Sequence, residues 1–138
     1  MNKLNVFIDT NVLLDVLCKR EPFYQDSLFI LKLCETGIIN GYVSALSIAD
    51  IVYILRKELD QQSIKEIIKK ISLLFKVDDL KADDLLSASN LSFKDYEDAL
   101  QTVSAKRNKI NFIITRNQAD FENAGIPALS PSEFASKF

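Results

Sequence analysis

The chain contains no histidine. That excludes the Ser-His-Asp triad, the Cys-His pair and any general acid–base scheme built on imidazole. It has only two cysteines, Cys18 and Cys34, and without histidine two thiols cannot complete a zinc site. Nor do they make a disulfide framework. Both fall in stretches that read as apolar and helical, so both are expected to be reduced core thiols. Three glycines and three prolines leave little room for linkers, and no repeat or low-complexity tract is present. A strong charge bias is also missing. A net charge of −2 argues against a broad basic surface that grips nucleic acid everywhere. No run is long and apolar enough to span a membrane. The opening stretch Leu4–Leu17 is broken by Asp9 and Asp15 and lacks a small-residue cleavage site. No signal peptide is therefore expected, and the cytoplasm is the expected location. The chemical tools left are carboxylates, hydroxyls, amines and a hard metal ion.

What is present is an ordinary globular composition, 48% hydrophobic and 26% charged over 138 residues, enough for one core and one domain spanning 1–138. Leu4–Ile8 is a short apolar run suited to a buried strand, and Phe112–Thr115 is a second. Tyr42–Val43, after Asn40-Gly41, and Lys76–Asp78 are shorter strand candidates. Helical spacing runs over Thr10–Arg20, ending before Pro22, and over Tyr24–Glu35, stopped by Gly37. Ser44 caps a helix expected to reach Leu59. Ser63 with Glu66, and Ser92 with Asp95, are read as capping boxes opening helices to Phe75 and Asn108. Ala82–Ser89 is another helix, and Ser130, Pro131 and Glu133 start a terminal one. Strands alternating with helices predict an α/β fold whose parallel sheet is covered on both faces. Ligands of such sheets bind beyond the carboxyl ends of the strands. Attention therefore falls on Asp9-Thr10-Asn11 and on the stretch from Thr115 to Asp120.

Several acids look misplaced. Asp9 ends an apolar strand and can serve as a helix N-cap or as a ligand. Asp50 interrupts the apolar run Ala45–Leu55, which on a helix is expected to be buried on most sides. A carboxylate there needs a cation or a metal. Asp98 sits in the first two turns of its helix, where the dipole alone favours an acid. Asp120 suits a turn. Asp95 has a sufficient task in its capping box. Asp78, Asp79, Asp83 and Asp84 read as a solvated face, and Lys106, Arg107 and Lys109 as a solvated helix end. Four acids from separate segments can nevertheless reach one end of a parallel sheet. There they would repel one another unless a cation neutralised them. An all-oxygen ligand set without histidine or cysteine points to Mg²⁺ or Mn²⁺.

Three segments carry a resemblance over essentially the whole chain. They are Phe7–Asp15, Asp95–Gln101 and Ile113–Phe121, in that order. Together they resemble the PIN-domain nucleases, especially the compact VapC-like toxins of bacterial toxin–antitoxin pairs. The resemblance implies a three-layer α/β/α fold with a short, mainly parallel central sheet. It implies metal-dependent hydrolysis of single-stranded RNA, with Asp9, Asp50, Asp98 and Asp120 as the catalytic and metal-binding set and Mg²⁺ or Mn²⁺ as cofactor. Asn11 and Thr115 would hydrogen-bond the carboxylates and hold them, and Arg116 would contact substrate phosphate. The implied partners are the RNA substrate, a second copy in a homodimer with Tyr24–Cys34 as a contact face, and an antitoxin. No membrane partner is implied. Two positions depart from the family pattern. Asp50 stands where the family usually carries Glu, a reach shorter by roughly 1.5 Å. Asn117 stands where many relatives carry Asp, which leaves Asp120 as the acid of its segment. The departures keep a second reading open, a PIN-fold RNA-binding or scaffold module that cleaves weakly or not at all. A receiver domain would want paired acids at the first strand, and a haloacid-dehalogenase-type phosphatase would want Asp-x-Asp. Asp9-Thr10-Asn11 supplies neither.

Overall fold

The computed structural model describes residues 3–138. Strand β1 (Asn5–Ile8) leads into helices α1 (Thr10–Leu17) and α2 (Tyr24–Glu35). Strand β2 (Asn40–Ser44) leads into α3 (Ala45–Leu55) and α4 (Gln61–Leu74). Then come β3 (Lys76–Asp78), α5 (Ala82–Ser89), α6 (Tyr96–Arg107) and β4 (Phe112–Ile114). A 3₁₀ turn (Gln118–Phe121), β5 (Ala128–Leu129) and α7 (Pro131–Ala135) complete the order. The five strands form one parallel sheet in the order β3-β2-β1-β4-β5.

β1 is central, and Val6, Phe7 and Ile8 are wholly buried, as a strand covered on both faces requires. Alternation sends Val6 and Ile8 into one layer, among Ile30, Leu33, Ile51, Leu55, Ile71 and Phe134. Phe7 points the other way, against Ala105, Ile113, Phe121 and Ala124. Helices α1 to α4 and α7 thus cover one face and α6 the other, in the three layers the sequence predicts. From β1 the chain steps outward through β2 to β3, then crosses to β4 on the opposite side of β1. The carboxyl ends of β1 and β4 flank this reversal, the place where open α/β sheets form their binding crevice.

Several local expectations are corrected. α1 stops at Leu17 rather than Arg20, because Lys19 turns to a positive φ of 48°. α3 stops at Leu55, four residues short of Leu59. The Ser63–Glu66 box does not form. Asp60 is the cap, accepting from the Ser63 N–H at 2.7 Å. Likewise Ser92 does not cap α6. Asp95 does so itself, accepting from the Glu97 N–H at 2.9 Å. The box of Ser130 and Glu133 is present. Gly41 belongs to β2 and not to a preceding turn. A Cβ there would meet Cys34 Sγ at 2.6 Å and the Phe75 ring at 2.7 Å. Cys34 is buried as expected, and burial pushes its thiol up to about 12. Cys18 is exposed at the end of α1 and is not a core thiol. Asp78 and Asp84 are no solvated face, nor is Arg107 a solvated helix end. Arg107 bridges both carboxylates and ties α6 to β3 and α5. No helix among the described residues is long and apolar enough to cross a membrane.

Candidate active site

Asp9 follows directly on β1, and its side chain makes no capping bond to α1. Thr115, directly after β4, donates to Asp9 Oδ2 at 2.8 Å. From the other side the Gln101 amide of α6 donates to Oδ1 at 3.2 Å. The carboxylate is thus fixed by donors from two elements and only 5% exposed. Thr115 Oγ1 is itself held by the Asn117 N–H at 3.0 Å. Behind Asp9, the Thr10 and Ser47 hydroxyls meet at 2.7 Å. That bond pins α1 to α3 one turn before Asp50.

Asp9 opens into a cavity of about 310 Å³ that also receives Asp50 from α3, Asp95, Glu97 and Asp98 from the start of α6, and Asp120 from the 3₁₀ turn. All four predicted acids are therefore brought together. Asp50 appears in none of the ion pairs among the described residues; the Glu97 carboxyl shares its cavity. Its helix is less enclosed than its composition suggested, since Tyr53 and Ile54 are exposed.

Crowded acids resist ionisation. Burial, followed by the neighbouring Asp50 carboxyl, pushes Glu97 up to about 8. Burial, then Asp9, Asp95 and Asp120, pushes Asp98 up to about 7. Burial also raises Asp9, with Asp120 adding to the effect, while donation from Thr115 and Gln101 works against it. A cation would relieve all three. The donors are hard carboxylate oxygens, which suits Mg²⁺ or Mn²⁺. The acids ring the cavity rather than meeting at one point. Among the described residues no three are arranged as a finished cage.

Two contributors escaped the sequence reading. Glu97 was hidden by its neighbour Asp98, because acids in a first helical turn need no special explanation. The surplus of Asp95, Glu97 and Asp98 over what one cap requires was the available signal. Gln101 lies four residues after Glu97, on the same helix face. Its side chain is 2% exposed and its Oε1 has no hydrogen-bond partner. Asn11 lines the cavity, while the donors on Asp9 are Thr115 and Gln101. Arg116, the residue expected to contact phosphate, is engaged within the chain. It grips the fully buried Asp15 with Nε at 2.6 Å and Nη2 at 3.1 Å, and its guanidinium lies 4.1 Å from the centre of the Phe23 ring.

A family model for the PIN domain matches residues 5–119. Among curated proteins, ribonuclease VapC1 of Aquifex aeolicus is 27% identical over 143 residues, spanning 100% of this chain and 98% of that protein. Among solved structures, a toxin–antitoxin complex from Klebsiella pneumoniae superposes with a TM-score of 0.67 at 21% identity. The match covers 91% of this chain and 97% of that one. VapC20 of Mycobacterium tuberculosis, described as a toxin cleaving the sarcin-ricin loop, gives 0.67 at 15% identity, covering 91% and 99%. At these identities the structural likeness is one of fold.

Proposed function

The chain belongs to the PIN domain family, and from that premise we propose that it is a metal-dependent endoribonuclease, the toxin of a toxin–antitoxin pair, acting on single-stranded RNA in the cytoplasm. The observation that carries this reading is the gathering of Asp9, Asp50, Glu97, Asp98 and Asp120 in one cavity at the reversal point of the sheet. The likeness to a curated VapC ribonuclease along the whole chain supports it, as do neighbours described as toxin–antitoxin complexes.

Asp9, Asp98 and Asp120 are assigned as ligands of Mg²⁺ or Mn²⁺, with Asp50 and Glu97 completing the set from the facing side. A divalent ion so held supplies Lewis acidity, offsetting charge on the phosphoryl oxygens and easing ionisation of the attacking water. Thr115 and Gln101 keep Asp9 aimed into the cavity. A carboxylate of Asp50 or Glu97 that is left free of the ion would be placed to accept a proton from the attacking water. The two donors on Asp9 and the Thr10–Ser47 bond behind it make the site rigid, and rigidity keeps reacting groups in register.

The partners proposed are an antitoxin and a second copy of the chain. The test of the activity is incubation of wild type and Asp98→Asn with single-stranded RNA, duplex RNA and single-stranded DNA, with Mn²⁺ titrated in. Mn²⁺-dependent cutting confined to single-stranded RNA and lost in Asp98→Asn is the expected result. Cutting that ignores either the metal or the substitution contradicts the reading.

A further inference from the structure

The face of α3 that carries Asp50 continues into Tyr53 and Ile54, three and four residues on, the spacing that stacks side chains on one side of a helix. Both line the same cavity as the carboxylates. Tyr53 is 65% exposed and Ile54 45%, so neither ring nor branch serves the core. The Arg56 guanidinium lies 3.7 Å from the centre of the Tyr53 ring. The same guanidinium donates to the Tyr53 carbonyl, which fixes it there. Among the described residues the ion pairs are those of Arg20, Arg107 and Arg116. Arg56 is in none of them, and its charge is directed at no carboxylate.

A second cavity, of about 160 Å³, adjoins the first. It shares Asp98 and Asp120 with the first and is lined by Phe93, Lys94 and Asn123. Lys94 is exposed there, and the Phe93 ring is half-buried against the core. Tyr53 beside the carboxylates, with Arg56 on its ring, suits a single nucleic-acid strand. Bases stack on aromatic rings whatever their sequence, while cations follow the backbone. A chain of net charge −2 with an acidic centre repels phosphate in the middle of its site. Affinity for RNA without a cation therefore has to come from groups beside the acids.

We propose that Tyr53, backed by Arg56, is a nucleobase-stacking platform of the active-site cleft. A base next to the scissile phosphate lies on the uncovered face of the ring, and Arg56 meets the adjoining phosphate. The proposal rests on the ribonuclease reading for its choice of ligand. A protein surface, such as a second copy of the chain, is the competing occupant of an exposed tyrosine.

Two measurements test it. The first is the steady-state cleavage of a single-stranded RNA oligomer by wild type, Tyr53→Phe and Tyr53→Ala. The second is binding of the same oligomer, fluorescently labelled, to the three proteins in chelator. Tyr53→Ala is expected to weaken binding about tenfold, the scale of one base–aromatic stack. The loss should fall on KM rather than kcat, and Tyr53→Phe should restore it. Because the ring is exposed, the melting temperature should stay unchanged. If wild type binds RNA and Tyr53→Ala binds it equally well, the platform is refuted. It is also refuted if Tyr53→Ala leaves RNA affinity intact and abolishes self-association in sedimentation, which assigns the ring to a protein interface. RNA that is bound through Tyr53 but never cut overturns the ribonuclease reading and leaves the platform standing. RNA that is not bound at all overturns both.

Discussion

Asp50 on α3 and Glu97 on α6 line the same cavity, and after burial the Asp50 carboxyl does most to raise Glu97. Carboxyls so placed disfavour one another's ionised form, and a cation between them relieves this. The shorter arm at position 50 shares its cavity with acids of the facing helix. Substitution there should expose the role of both. Asp50→Ala and Glu97→Gln should each lower RNA cleavage on the order of 100-fold, at or above the loss typical when a residue only orients a ligand. Each should leave metal-free stability unchanged or higher, because the crowding of acids in the cavity is relieved. Asp50→Glu should keep or raise activity. Cleavage rates and chemical denaturation in chelator check the set. A sharp fall in stability for Asp50→Ala would make Asp50 structural instead.

The raised carboxyls predict a pH dependence of stability. Glu97 moves from 4.5 to about 8 and Asp98 from 3.8 to about 7 on folding. Between these limits the folded chain holds more protons than the unfolded one. Unfolding therefore becomes easier as pH rises through that window. Metal-free protein should melt at a lower temperature at about pH 8 than at about pH 5, and saturating Mg²⁺ should flatten the slope. Melting curves in chelator measure this. A metal-free profile that rises over the same range contradicts the crowding of the acids.

Gln101 is expected to matter for the metal and little for the fold. Its amide aims Asp9, and its Oε1 is buried without a partner. Gln101→Met should weaken Mn²⁺ binding by about 10- to 100-fold while stability holds, since an unsatisfied buried acceptor is removed along with the bond. Calorimetric titration with Mn²⁺ reads the affinity directly. An unchanged affinity would show that Thr115 alone suffices to orient Asp9.

Arg116 is predicted to act through stability. Asp15 is wholly buried, and its other cation, Arg20, lies at 3.7 Å. Arg116→Gln should cost about 3 kcal/mol in urea unfolding, the usual consequence of stranding a buried charge. Asp15→Asn in the same background should recover part of it. A variant of wild-type stability with a raised KM would instead restore the phosphate contact expected from the sequence.

The sequence was most readable where local order and chemistry coincide. Asp9 ends an apolar strand, Asp98 and Asp120 stand in segments of recognisable pattern, and alternation of strands with helices already implies a covered parallel sheet. The pairing of Arg116 was not legible because its partner is 101 positions away. Arg107 was misread for the same reason, its acids lying 23 and 29 positions earlier. Strand β5 is two residues long and exists through its pairing with β4, a contact that no local pattern encodes. The caps at Asp60 and Asp95 show a different ambiguity. Several polar residues stood near each helix start, and the tertiary placement of the helix decided which one served. Glu97 and Gln101 needed α3, β1 and α6 to be seen together before either acquired a purpose.

The central claim is that carboxylates around Asp9 hold a divalent cation and use it to cut RNA. The most direct measurement is the initial rate of cleavage of a single-stranded RNA oligomer by wild type and Asp9→Asn, each with Mn²⁺ or Mg²⁺ present and then chelated. The account predicts cutting by wild type that stops on chelation and returns on re-addition of metal, and none above background for Asp9→Asn in any condition. Wild-type cutting that persists in chelator, or Asp9→Asn cutting at the wild-type rate, would contradict it.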